Sequence, residues 1–278
     1  MYKIIFLILF VSTSLMSKEL EEFYNGVKPM GMGGAFTGVA KGYDTIWYNP
    51  AGLSGMSLFN FNVFNPMAGT NLNTINFFDN MIDVAKGSNI SNAIKKLAGK
   101  PFFMRAHVSP AIVISNFSIA LYENYQGKIN FSNFAHPDVN INLSNDFGVA
   151  GAFAFSPVDT VTFGSTIKWI KRRGAKIDLS LSQLLTTSDT ELKALIDKEG
   201  EAFGFDCGLL WTLPTMKKGF KTVIGTSYTD IGNSTFKKTA KSTGAPQRIE
   251  ESINAGVAIS YKLKFLGEVT FAADMFHI

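Results

Sequence analysis

Between Phe147 and Phe155 every second residue is lipid-like or glycine: Phe147, Val149, Gly151, Phe153 and Phe155. The residues between them are small: Gly148, Ala150, Ala152 and Ala154. After a Ser156-Pro157-Val158-Asp159 turn the pattern resumes, with Val161, Phe163, Ile167 and Trp169 on one parity and Thr160, Thr162, Gly164, Thr166 and Lys168 on the other. Side chains of a strand alternate between faces, so each stretch builds one greasy face and one small or polar face. A membrane-spanning β-barrel has that construction, greasy towards lipid and small or polar towards its lumen. Soluble sheets alternate too, and length separates the two cases. About eleven steps of roughly 3.3 Å, tilted about 40°, cover roughly 28 Å along a membrane normal, enough for an apolar band about 25 Å tall. Strands of soluble domains more often run about five or six residues.

Composition agrees. Charged residues make up 17% of the chain, against about a quarter in soluble domains. Yet the one unbroken apolar run of note, Ile4 to Val11, is far below the about 20 residues a spanning helix needs. Lys3, that run, and then Ser12, Thr13 and Ser14 read as a cleavable signal peptide over residues 1–17, which predicts export to the bacterial outer membrane. Residues 18–278 then form one barrel domain, since no linker or second composition regime interrupts them. The single Cys207 has no intramolecular partner and shares the greasy parity of Phe205, Leu209 and Trp211. The formal charge is +4, but the basic residues are scattered. The one cluster, Lys171-Arg172-Arg173, ends a strand and reads as a rim beside water, lipid or lipopolysaccharide headgroups, so no nucleic-acid partner is expected.

Along the chain, strands are predicted at Ser57–Phe64, Phe102–Ile114, Phe117–Tyr125, Asn145–Ser156, Asp159–Arg173, Ala202–Leu213, Phe220–Asp230, Ser252–Leu263 and Glu268–Met275. Pro110 suits only an edge or a bulge in the second of these. Asn133 to Asn142 reads as a polar loop. Helical periodicity predicts two inserts, Asn73–Ala98 and Leu179–Lys198. The strands number roughly nine, whereas single-chain bacterial barrels have even numbers. The expectation is an incomplete barrel whose C-terminal strands are missing; a miscounted even barrel, or an oligomer supplying the missing wall, are the alternatives.

Ahead of the first strand lies a glycine-rich segment, residues 26–55. It contains Gly31-Met32-Gly33-Gly34-Ala35-Phe36 and Trp47-Tyr48-Asn49-Pro50-Ala51-Gly52-Leu53. Glycines permit close backbone approach, as a compact plug needs, and Asn49-Pro50-Ala51 suits a tight turn. A Gly-Met-Gly-Gly-Ala-Phe stretch followed by Asn-Pro-Ala behind a signal peptide resembles the FadL-type outer-membrane transporter superfamily. It is most similar to the PorV-like and plasmid-transfer TraF-like branches. Tyr228-Thr229-Asp230-Ile231-Gly232-Asn233 resembles a strand-end motif of those branches. The resemblance implies a β-barrel with an N-terminal hatch and transport of hydrophobic small molecules such as long-chain fatty acids. It implies a hatch or ligand role for Gly33, Gly34, Phe36, Trp47, Asn49, Pro50 and Ala51. The chain is too short to complete such a barrel.

No nucleophile-and-base constellation appears, and His107, His136 and His277 lie far apart without partners at ligand spacing, so neither an enzyme nor a metal site nor a cofactor is expected. Gly31-Met32-Gly33-Gly34 lacks the strand before it and the Gly-Lys-Ser/Thr ending of a phosphate loop. Charges on the small-residue parity, Arg105, Lys168, Asp206, Lys262 and Asp274, predict a polar lumen that either guides a ligand or pairs internally to fill a narrow barrel. Trp169 and Trp211 take the positions of interfacial girdles. The sequence thus predicts an all-β fold: a transmembrane antiparallel β-barrel, incomplete by count, with an N-terminal hatch and two helical inserts. Two functions of different class follow, FadL-like transport, or a structural barrel that binds an envelope protein partner in secretion or envelope assembly.

Overall fold

The computed structural model describes residues 24, 26–54, 56, 59–76, 100–132, 138–186, 195, 198–214, 219–263 and 267–276. The signal peptide, His136, His277, most of the Asn73–Ala98 insert and residues 187–194 of the second insert lie outside them.

The fold is all-β. Among the described residues twelve strands form one antiparallel sheet: β1 (Asn60–Asn62), β2 (Met67–Thr70), β3 (Phe102–Val108), β4 (Ala111–Ile114), β5 (Phe117–Ser132), β6 (Asp138–Val158), β7 (Val161–Ser180), β8 (Glu199–Thr212), β9 (Phe220–Thr229), β10 (Lys237–Lys238), β11 (Ser252–Leu263) and β12 (Gly267–Met275). The spatial order is β1-β4-β5-β6-β7-β8-β9-β11-β12. The β3 and β4 strands behave as one. Val108 faces Glu123 and Ala111 faces Ala120, so both halves keep a single register across Ser109-Pro110. Pro110 lacks a donor but its carbonyl accepts from Leu121 N–H at 3.0 Å. On the neighbouring edge, Asn62 faces Ala111 while Met67 faces His107, one residue out of step. That bulge is filled by Asn65, whose side chain accepts from Ser109 N–H at 2.7 Å.

Alternation sorts the sheet into two unlike faces. On one, Phe117, Ile119, Leu121, Phe147, Val149, Phe153, Phe155, Phe163, Ile167, Phe203, Phe205, Trp211, Val257, Ile259 and Phe271 all stand exposed. On the other, Ala120, Tyr122, Ala150, Ala152, Ala154, Thr166, Ile170, Ala202 and Ala258 are buried. A continuous exposed apolar face of that extent is foreign to a soluble monomer. The Phe147–Phe155 run spans about 26 Å along its strand, about 20 Å once tilted, close to the height of an outer-membrane band.

Connections are also sorted by end. Ser115-Asn116, Asp159-Thr160 and residues 213–219 and 264–266 join strands at one end, whereas residues 71–101, 133–137, 181–198 and 230–251 connect strands at the other. Short turns at one end and longer loops at the other are the outer-membrane pattern.

Three hairpin strands run further than the sequence suggests. The β5 strand continues past Tyr125 to Ser132, residues 138–142 of the expected Asn133–Asn142 loop belong to β6, and β7 absorbs Leu179 and Ser180, so the second insert begins at Leu181. In this extension the buried parity reverses: Val139, Ile141, Ala175 and Ile177 are now the covered residues. The short helix Leu181–Thr186 packs against β6 and β7 here.

Candidate functional site: the hatch and its seat

Residues 26–54 fold as a plug against the buried face. A helix Val27–Gly31 ends in Gly33 (φ 66°) and Gly34 (φ 87°), left-handed positions that let Gly34 N–H return to Pro29 O at 2.8 Å. A 3-10 turn (Gly42–Asp44), a helical turn (Thr45–Tyr48) and a second 3-10 turn (Pro50–Leu53) follow. Asn49 joins the last two. Its extended backbone (φ −156°, ψ 100°) precedes Pro50 at the first helical position, where a missing N–H costs nothing, and its side-chain oxygen accepts from Ala51 N–H at 3.2 Å.

The remaining capacity of Asn49 stitches the plug to the wall. Its fully buried Nδ2 lies 2.9 Å from Thr37 O in the hatch, 3.2 Å from Leu209 O of β8 and 3.3 Å from Thr226 O of β9. Such closeness requires wall positions without side chains. A methyl on Gly164 would stand 2.2 Å from Ala51 N, one on Gly208 2.0 Å from Asn49 Oδ1, and one on Gly225 2.4 Å from Thr37 O. Gly164 faces Gly208, and Gly225 faces Gly256, across adjacent strands. The small parity of the sequence is therefore a seat for the hatch. Asp274 on β12 completes it, its Oδ2 accepting Phe36 N–H at 2.7 Å and Thr37 N–H at 2.6 Å.

Within the plug, Phe36 is buried edge-on to Tyr48 at 5.4 Å, and Trp47 stacks on Tyr24 at 5.4 Å and meets Tyr122 of the wall edge-on at 4.9 Å. His107 lies 4.7 Å from the Tyr24 ring. Tyr24 hydroxyl donates to Asp44 at 2.8 Å. Burial pushes the Asp44 carboxyl above its usual range, with the Tyr24 hydrogen bond and the Lys28 charge pulling the other way.

The charged parity residues take separate roles. Lys168 Nζ sits 2.8 Å from Asp206 and 3.0 Å from Asp230, all buried. Arg105 is buried with its guanidinium 5.6 Å from the Phe103 ring. Lys262 shares the inner parity but is exposed near the end of β11. The Lys171-Arg172-Arg173 cluster is not a uniform rim. Lys171 pairs with Glu199 at 3.1 Å, whereas Arg172 follows Lys168 and Ile170 onto the inner parity and clamps Asp146 through two bonds of 2.6 and 2.8 Å. Strand alternation dictated that split.

Asp146 and the glycine row were not expected as site residues from sequence, Arg172 was read as part of a rim cluster, and Asp230 only as part of a strand-end motif. The parity of Asp146, Arg172 and the glycines was readable; their partners depend on strand register. Trp211 and Cys207 are exposed on the outer face, and Trp169 meets Phe147 edge-on at 6.4 Å.

No protein-family model matches the chain, and no curated protein matches it. Among solved structures it is similar to the CymD monoaromatic hydrocarbon channel, at 11% identity and a TM-score of 0.40, over 92% of this chain and 79% of that one. A likeness this distant carries no argument about function.

Proposed function

We propose that the chain forms a plugged wall of the bacterial outer membrane that transports hydrophobic small molecules, with long-chain fatty acids as the first substrate class to test. One observation supports it above the rest: a sheet with an exposed apolar face whose opposite face is largely small or polar and is covered by the plug of residues 26–54. A purely structural wall needs no cover over its inner face, whereas a transport path that must stay closed to water does. The fatty-acid class comes from the resemblance of residues 26–53 to the FadL-type hatch. The test is uptake of labelled oleate by cells that lack their own fatty-acid porin and carry either the wild-type chain or Asn49→Ala. Transport predicts uptake by the wild type and an altered rate in the variant. Uptake at the level of empty cells rejects it.

The long β5–β7 extension, 16, 21 and 20 residues per strand, favours a second reading. It offers a rigid projection beyond the apolar band on which an envelope protein could assemble, as in the PorV-like or TraF-like branches. That function predicts a stable complex with such a protein and no uptake phenotype.

A further inference from the structure

Residues 230–251, between β9 and β11, fold back over the wall. Asp230 (φ 52°), Gly232 (φ 79°) and Asn233 (φ 59°) reverse the chain as it leaves β9, and Asn233 N–H closes the turn on Asp230 O at 2.9 Å. The loop then crosses the buried face of β8. A methyl on Gly200 would meet Lys237 O at 2.8 Å and Phe236 at 3.0 Å, and one on Gly204 would meet Asp230 and Ser234 at 2.9 Å. Lys237 pairs opposite Glu201. Phe236 is buried in the same cluster as Tyr122, Ile170 and Ala202 of the wall and Ile46 and Leu53 of the hatch. Two covers, hatch and loop, therefore share the inner face.

They are held differently. Lifting the hatch would strip Asp274 of the Phe36 and Thr37 amides and empty the glycine seat. Lifting the loop strands no charge. Lys168 keeps Asp206 at 2.8 Å, and Arg172 keeps its two bonds to Asp146, because all four groups belong to the wall. To these charges the loop adds further partners: the Asp230 amide on Asp206 at 2.8 Å, its carboxylate on Lys168 at 3.0 Å, and Gln247 O at 3.1 Å and the Phe236 ring at 5.0 Å on Arg172. Along β8 it is tied by neutral bonds, Ile231 N–H to Phe205 O at 2.9 Å, Thr239 N–H to Glu199 O at 3.0 Å and Glu199 N–H to Ser242 Oγ at 2.7 Å. An unpaired buried charge is the usual penalty against moving an ion-paired segment, and here it is absent. The base of the loop is self-contained. Glu251 accepts from Tyr228 hydroxyl at 2.6 Å and Gly232 N–H at 2.9 Å, so both ends of the loop are tied together.

We propose that residues 230–249 form a lid that lifts from the wall while the hatch stays seated. Its role as a gate rests on the transport function above; the motion itself does not. Two buried wall positions report the two covers: Ala202 beneath the lid, and Thr166 beneath the hatch, where its hydroxyl donates to Ile46 O at 3.3 Å. Each is changed to Cys in the full chain carrying Cys207→Ser, reconstituted in liposomes and reacted with a water-soluble maleimide. Ala202→Cys is expected to react about tenfold faster than Thr166→Cys or more, as local opening of one cover alone requires. Equal rates, or a faster Thr166→Cys, overturn the lid. Ser234→Cys, on the lid's own underside, repeats the comparison if Ala202→Cys folds poorly. A reversible lock, Glu201→Cys with Lys237→Cys, then tests gating with 1-N-phenylnaphthylamine uptake into cells. Oxidation is expected to block uptake and dithiothreitol to restore it; undiminished uptake by the oxidised protein overturns the gate. A wild type that takes up no probe rejects transport alone, and the maleimide rates still decide whether the lid lifts.

Discussion

A single methyl group on Gly164 tests whether the hatch is seated on the wall. The new Cβ would stand 2.2 Å from Ala51 N and 2.3 and 2.6 Å from Pro50 C and O, all backbone atoms of the plug. Ordinary contact begins at 3.4 Å, so the hatch must retreat by about 1 Å. The Asn49 bonds to Leu209 and Thr226 of the wall, now 3.2 and 3.3 Å, do not survive that shift, whereas those to Thr37 and Ala51 move with the hatch. At about 1 kcal/mol each the two wall bonds represent about 2 kcal/mol, in addition to the about 1–3 kcal/mol of simple overpacking. Gly151→Ala is the matched control. It adds the same methyl to the adjacent strand on the outer face, with nothing within 4 Å, and its effect should stay within about 0.5 kcal/mol. Stability is measured by denaturant titration in lipid, and hatch release by tryptic cleavage at Lys28 and Lys41. The seat predicts that Gly164→Ala alone is destabilised and cleaved. Indistinguishable behaviour of the two variants refutes it.

Other outcomes follow from the same contacts. Asp274→Ala removes a charged acceptor from the Phe36 and Thr37 amides and is expected to cost about 2–4 kcal/mol in the same titration, with Asp274→Asn, which keeps an accepting oxygen, losing less. Lys168→Met leaves Asp206 and Asp230 facing one another without a cation and is expected to cost about 3–5 kcal/mol; pairing it with Asp206→Asn should restore part of the loss. The Tyr228 hydroxyl and the Gly232 amide hold the Glu251 carboxyl below its ordinary range. Its stabilising contribution is therefore present above the ordinary glutamate range and lost as pH falls through the depressed value. The melting temperature of the wild type should drop more steeply on acidification than that of Glu251→Gln.

Most strands were legible because every second residue meets different surroundings, one face exposed and apolar, the other covered and small or polar. Legibility failed where that contrast ends. In residues 138–144 the alternation runs in the opposite sense: Val139 and Ile141 are buried while Asp138, Asn140 and Asn142 are not, so an outward apolar face does not continue into this part of β6 and the Asn-rich stretch reads as loop. The Asn-Pro-Ala turn was legible, but not its fastening to the wall. Asn49 reaches carbonyls about 160 and 177 positions away in sequence, and Asp274 reaches amides about 240 positions away. Such contacts follow from register and from which strands close around the plug. The lid escaped for a similar reason: Asp230 ends a strand in sequence, yet three left-handed residues return it to the charge on β7.

The central claim is that the exposed apolar face lies in lipid while the opposite face is covered by the hatch. A nitroxide scan along Val161 to Trp169 of β7 in phospholipid vesicles tests it most directly, reading collision with oxygen, which partitions into lipid, against a water-soluble nickel chelate. A period of two is expected, with odd positions open to oxygen and closed to nickel, and even positions closed to both. Odd positions that collide with nickel, or no alternation at all, contradict it.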